Sequence, residues 1–270
     1  MLRGPALPQI APMLWSLLPY LPLGLLAGLL SGLLGIGGGL VFSPLLLLMG
    51  LDPHQALATS TLAIVPTTFG GTWAHLRSRS LPWRGCLAIA LGSALGAALF
   101  SHVGFGVHGG LLLALQALMY GVLAFTIRSQ PVLVESAGAS WNWGGLAGVG
   151  WVAGLATSML GLGGGLVMVP LMVRFLRVPI HLAIRFSTLA VLVSASVASV
   201  RFLGDGRGLL PVGLALGATA ALAARWSASR LDRVSDAALV WMLRALTVLL
   251  AVDSGRRALA LVLWPASSGL

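Results

Sequence analysis

The chain has no lysine, one cysteine and six acidic residues among 270. Charged residues make up 8% of it, where a soluble domain of this length carries roughly a quarter. That shortage excludes an ordinary water-soluble enzyme. A lone cysteine, Cys86, excludes an internal disulfide and any cysteine-based metal cluster. It lies in an apolar stretch after Arg84 and reads as buried filler. There is no His-Glu-x-x-His, no Gly-Lys-Ser/Thr after the glycine clusters and no dinucleotide fingerprint. No nucleophile stands with a placed base. The chain therefore reads as a non-enzyme, with no metal site and no cofactor.

What is present is apolar. Hydrophobic residues are 58% and the mean hydropathy is +0.99, which excludes a disordered tail. Residues 4–51, 53–76, 85–127, 136–173 and 208–224 contain no Asp, Glu, Lys or Arg. A helix crosses the hydrocarbon with ~20 apolar residues. The pattern predicts segments near 18–50, 54–76, 85–101, 109–127, 144–174, 181–202, 208–225 and 237–264. None alternates like an outer-membrane barrel strand. The fold class is an all-α integral membrane protein. The last segment holds Arg244, Asp253, Arg256 and Arg257; it reads either as a short crossing or as an amphipathic helix followed by one. Sixteen arginines give a net charge of +10. They stand singly or in small groups between apolar stretches, the arrangement of a positive-inside bias rather than of nucleic-acid binding. Pro5, Pro8 and Pro12 interrupt the N-terminal region and the apolar run continues past residue 50. A cleaved signal peptide is therefore not expected.

The chain is a duplication. The eighteen residues from Gly28 to Leu45 recur 126 positions later, from Gly154 to Leu171, with eleven identities. Gly35 matches Gly161, Gly37, Gly38 and Gly39 match Gly163, Gly164 and Gly165, and Pro44 matches Pro170. His54 and Ser60-Thr61-Leu62-Ala63 then match His181 and Ser187-Thr188-Leu189-Ala190. This divides the chain into a first membrane repeat (1–128), a connecting loop (129–143) and a second membrane repeat (144–270). Each glycine cluster should interrupt its helix, leaving a re-entrant hairpin or a crossing with an unwound middle. Arginine counting arbitrates. Hairpins place Arg77, Arg79, Arg84, Arg128, Arg174, Arg177, Arg225, Arg230 and Arg233 on one side, against Arg3, Arg201 and Arg207. Full crossings give seven against five. The positive-inside rule favours hairpins, hence inverted repeats.

Broken backbone inside a membrane is tolerated where it lines a cavity or is buried in protein, and paired breaks in two halves point to a transport site. Unwound glycines release N–H groups, and the half-helix that follows aims its N-terminus at the gap. Gly37, Gly38, Gly39, Gly163, Gly164 and Gly165 are thus candidate anion-binding residues, with close helix packing as the plainer alternative. Thr59, Ser60, Ser187 and Thr188 offer hydroxyls to an oxyanion, or else bond their own helix. Arg185 has Ala58 as its counterpart in the first repeat; it either pairs with the anion or snorkels to the interface. His54 and His181 begin helices and read as capping or solvated histidines ahead of proton relays. Asp52 reads as a cap, Asp205 as a loop residue, and Trp73, Trp83, Trp141, Trp143 and Trp226 as interfacial anchors.

The doubled glycine motif, with its proline and its Ser/Thr-bearing helix, resembles the sulfite exporter TauE/SafE family of membrane permeases over nearly the whole chain. The first half has the family's Ala-x-x-Thr-Ser intact, from Ala56 to Ser60. The second departs from it: Phe186 stands where threonine is usual. The resemblance implies a secondary transporter of small anions such as sulfite or sulfonates in a bacterial inner membrane. A passive anion channel would use the same groups. Expected partners are a small anion and the lipid bilayer, with a homodimer left open and no nucleic acid.

Overall fold

A computed structural model describes residues 20–78, 82–101, 109–126, 142–161, 163–206 and 208–263. Every regular element among them is helical: α1 (Tyr20–Leu34), α2 (Gly39–Leu48), α3 (Pro53–Arg77), α4 (Trp83–Phe100), α5 (Gly109–Thr126), α6 (Trp143–Leu160), α7 (Gly165–Phe175), α8 (Ile180–Gly204), α9 (Leu210–Ala228) and α10 (Asp236–Leu263), with one 3-10 turn at Leu231–Arg233. The segments expected at 18–50 and 144–174 are each two helices separated at the glycines. Three stretches, Trp83–Phe100, Ile180–Gly204 and Asp236–Arg257, are long and apolar enough to cross a membrane. Arg79, Arg128, Trp141 and nearly all of the expected connecting loop lie outside the described residues.

The breaks come from glycine and not from proline. Pro44 and Pro170 lie inside α2 and α7. Each is the sixth residue of its helix, so only one backbone bond per helix is forfeited to the missing N–H. Asp52 caps α3: its Oδ1 accepts from the N–H groups of His54 at 2.9 Å and Gln55 at 3.0 Å. Asp205 caps the C-terminal end of α8. The last segment differs from both readings offered for it, being one continuous helix through Asp253. Arg257 Nε donates to the Asp253 carboxylate at 2.8 Å and Arg256 adds a contact at 3.3 Å. Pairing at i+3 and i+4 on one helix face neutralises the carboxylate where it stands.

Small residues set how the helices meet. A methyl group built on Gly92 of α4 would fall 2.1 Å from the Ala147 carbonyl oxygen of α6. On Gly28 of α1 it would fall 2.2 Å from the Ala220 oxygen of α9. Without hydrocarbon to expel from water, membrane helices associate through such close backbone approach. Another face of α4 carries Leu87, Leu91, Leu95 and Leu99 at four-residue spacing, all exposed, an apolar stripe of the kind a membrane helix presents outward. Gly92→Ala should therefore destabilise the protein by about 1–3 kcal/mol through overpacking. Gly148→Ala on α6, where nothing lies within 4 Å, should be neutral or raise stability by up to ~1 kcal/mol through helix propensity. Thermal unfolding in detergent measures both.

Contact order along the helices fixes their directions. Gly24, Gly28 and Gly32 of α1 meet α9 at Thr219, Ala220 and Ser227, so the two run parallel. So do α3 and α9, since Gly213 sits at Leu62, Gly217 at Pro66 and Gly70 at Ala221. The central helices run oppositely: Leu57 and Ala58 of α3 cluster with Ala198 and Phe202 of α8, while Gly71 meets Thr188. Exchanging the two halves maps the α1–α9 contact onto α6–α4, and α3–α9 onto α8–α4; both members of each pair are extensive contacts.

Candidate anion site at the crossing of the helix breaks

Both interruptions are built alike. Gly35, Gly37 and Gly38 have φ of 67°, 77° and 79°; Gly161, Gly163 and Gly164 have 64°, 79° and 61°. A Cβ is strained in that left-handed region, which is why the chain leaves α1 and α6 on glycine. Gly38 and Gly164 are then the N-caps of α2 and α7 and bring no capping side chain. Among the described residues the N–H groups of Gly37, Gly38, Gly39 and Leu40 donate to no backbone carbonyl, and neither do those of Gly163 and Gly164. The Gly165 N–H turns back to the Gly163 oxygen at 2.6 Å. Unspent amides at the positive ends of two helices, in a water-poor interior, are suited to hold negative charge.

The two breaks touch each other. A methyl group on Gly165 would lie 2.1 Å from the Gly35 oxygen, and one on Gly163 2.4 Å from the Ile36 oxygen. Around Gly37 the neighbours are Val191, Ile64 and the Thr68 methyl. The centre is thus backbone against backbone inside an apolar rim, and the breaks are closed on one another.

Each serine of the repeated Ser-Thr pair reaches across to the opposite break. Ser187 Oγ donates to the Gly35 oxygen at 2.8 Å, and Ser60 Oγ to the Gly161 oxygen at 3.3 Å. Each also contacts its own helix, at the Ile184 and Leu57 oxygens. The threonines beside them bond inward only: Thr61 to the Leu57 oxygen and Thr188 to the Ile184 oxygen, both at 2.8 Å. Thr59 Oγ1 accepts from the Leu209 N–H at 3.1 Å and so caps the start of α9. The serine hydroxyls are therefore fasteners for the breaks, and their protons reach an anion only by leaving a carbonyl.

Arg185 has a carboxylate for its partner. It ion-pairs with Asp232 on the 3-10 turn, its side chain 15% exposed. Its Nε is buried without a hydrogen-bond partner. One turn earlier, His181 meets Asp236 through Nδ1 at 2.9 Å and the Val234 oxygen through Nε2 at 3.0 Å. These contacts tie the start of α8 to the segment leading into α10. Neither was readable from sequence, because Arg185 and Asp232 are 47 positions apart. Trp73, Trp83, Trp143 and Trp226 are exposed, as interfacial anchors require. Cys86 is buried. A cavity of about 590 Å³, lined by Trp73, His75, Arg77, Arg185, Arg225 and Trp226 among others, opens beside Arg185. The sequence reading treated Arg77 and Arg225 only as markers of topology.

The family model for "Sulfite exporter TauE/SafE" matches residues 20–254. The chain belongs to the sulfite exporter TauE/SafE family. It is 27% identical over 213 residues to the Bacillus subtilis "Probable membrane transporter protein YunE", covering 68% of this chain and 77% of that one. A Xylella fastidiosa "Probable membrane transporter protein" is 34% identical over 182 residues, covering 65% of this chain and 70% of the relative. A shorter match of 49 residues, 44% identical, links it to the Arabidopsis thaliana "Sulfite exporter TauE/SafE family protein 3", over 18% of this chain and 10% of that one. No solved structure matches the chain. This TauE/SafE protein is accordingly a helical membrane transporter, and its paired helix breaks are the elements to interrogate for substrate.

Proposed function

We propose that this TauE/SafE protein is a secondary carrier of small oxyanions, sulfite and sulfonates foremost, held where the two glycine breaks cross. The carrying observation is the unspent amides of Gly37, Gly38 and Gly39 facing a second break with the same geometry at Gly163 and Gly164. Ser60, Thr59, Ser187 and Thr188 are the hydroxyls within reach when the breaks part; Arg185 is the cation on the helix that carries Ser187 and Thr188. The antiparallel passage of α3 and α8 supports reading the halves as inverted repeats, in which α2 and α7 approach the centre from opposite faces. Arg77, Arg84, Arg174, Arg177, Arg225, Arg230 and Arg233 then share one face, which the positive-inside rule makes cytoplasmic in a bacterial inner membrane. Closure of the breaks on each other favours a carrier over an open pore, because backbone contact there leaves no continuous path.

Purified protein should be stabilised in thermal unfolding by at least one anion among sulfite, thiosulfate, sulfonates and carboxylates. The same anion should show saturable counterflow in proteoliposomes. Failure of the whole panel would remove the substrate class. Flux that does not saturate would replace the carrier with a channel.

A further inference from the structure

We propose that the cavity at the arginine-rich face is a second anion site, distinct from the glycine crossing. Its chemistry selects an amphiphilic anion: an oxyanion head, sulfonate or phosphate, carrying an apolar body. A cleft of about 590 Å³, open to one side, lies between the C-terminal ends of α3 and α9, the start of α8 and the 3-10 turn. That is within the range of small-molecule sites. Among the described residues, the guanidinium groups of Arg77, Arg185 and Arg225 border it against one carboxylate, that of Asp232. That leaves a positive excess of two among them, which a concave surface concentrates on an anionic ligand.

Two further observations give the site its shape. Arg185 has spent one end on Asp232 while its buried Nε is unpartnered. An incoming oxyanion can satisfy the guanidinium and displace Asp232, which is itself largely solvent-exposed at 69%. The exchange is between two anionic partners of one arginine, so it does not strand a buried charge. The walls are aromatic: Trp73 and Trp226 flank the opening with Leu222. Aromatic faces beside guanidinium groups suit an organic body better than a bare hydrated ion.

Occupancy here has a route to the crossing. Arg185 and Ser187 lie on the same turn of α8, and Ser187 holds the Gly35 carbonyl. Releasing Arg185 from Asp232 frees the start of α8 from its contact with the 3-10 turn and leaves His181, which holds Asp236 and the Val234 oxygen. The ligand can arrive as a diffusible organic anion or as the headgroup of an anionic phospholipid, since both present the same oxyanion.

The test uses full-length, delipidated protein in detergent, titrated calorimetrically with 2-naphthalenesulfonate, methanesulfonate and short-chain phosphatidylglycerol. Naphthalenesulfonate is expected to bind saturably at one site per chain and more tightly than methanesulfonate. Losing a charge-assisted hydrogen bond corresponds to roughly tenfold or more in affinity, so Arg77→Gln/Arg225→Gln should weaken binding by at least about that factor. Both side chains are exposed, so folding should survive, and unfolding temperature checks it. Asp232→Asn removes the competing carboxylate and should tighten binding. Phosphatidylglycerol binding with no naphthalenesulfonate binding would assign the site to lipid. No saturable binding of either, or affinity unchanged in the double arginine variant, overturns the proposal. Gly163→Ala places its methyl against the Ile36 oxygen and touches no residue lining this cavity, so saturable naphthalenesulfonate binding should persist in it and separate failure of this site from failure of the crossing.

Discussion

Gly165→Ala is expected to abolish anion transport in proteoliposomes while the protein still inserts into the membrane. Gly165 is the first residue of α7 and has an ordinary helical backbone, so alanine there brings no local strain. Its effect is purely positional. The new methyl would lie 2.1 Å from the Gly35 oxygen and 2.7 Å from the Ile36 Cα, both backbone atoms with no rotamer to yield. The breaks must separate, at an overpacking cost of about 1–3 kcal/mol, and their amides then no longer converge. Gly38→Ala is the instructive contrast. Its φ of 79° strains an alanine by ~1–2 kcal/mol, but the nearest atoms to its methyl belong to the Phe42 ring, at 2.8 Å, and not to backbone. That ring can turn. Gly38→Ala should therefore lower unfolding temperature yet retain a measurable fraction of transport. Equal, near-native transport in both variants would mean that the glycines serve close packing alone. A loss of membrane-inserted protein in Gly165→Ala, rather than of its transport, would point the same way.

The helix breaks were legible because glycine leaves a direct mark: two clusters 126 residues apart, each with three consecutive glycines. Element types and most limits followed from charge-free runs, since lipid demands long apolar helices. Less legible was everything that depends on two distant segments meeting. Ser187 and Gly35 are 152 positions apart, Ser60 and Gly161 101. The sequence marked the serines as interesting and left open whether they bond a ligand or their own helix. They do neither exclusively, because each bridges to the other repeat's broken backbone. Arg185 was conspicuous as an arginine inside an apolar helix, yet its partner sits on a short 3-10 turn with no pattern to announce it. Pro44 and Pro170 repeat along with the glycines but take no part in the interruption, since the helices α2 and α7 form around them.

The serine fasteners give the second large effect. Ser187→Ala is expected to impair transport and stability more than Ser60→Ala, although the residues occupy matching positions in the duplication. The Ser187 hydroxyl approaches the Gly35 oxygen to 2.8 Å; the Ser60 hydroxyl reaches the Gly161 oxygen only at 3.3 Å, beyond the usual range for a strong O–H···O bond. Both serines are fully buried, so removal leaves a carbonyl without its donor, at about 1–3 kcal/mol when no other partner is found. The Gly161 carbonyl has less to lose. Threonine at 187 keeps the hydroxyl and should rescue part of the loss, provided the added methyl is accommodated beside the break. The double variant, Ser60→Ala with Ser187→Ala, should fall below the sum of the singles, since the breaks share a contact at Gly165 and Gly35 and neither can relax alone. Unfolding temperature and counterflow measured on all four proteins separate the cases. Equal losses from the two single variants would show that the fasteners are interchangeable, and strictly additive losses that the two breaks are mechanically independent.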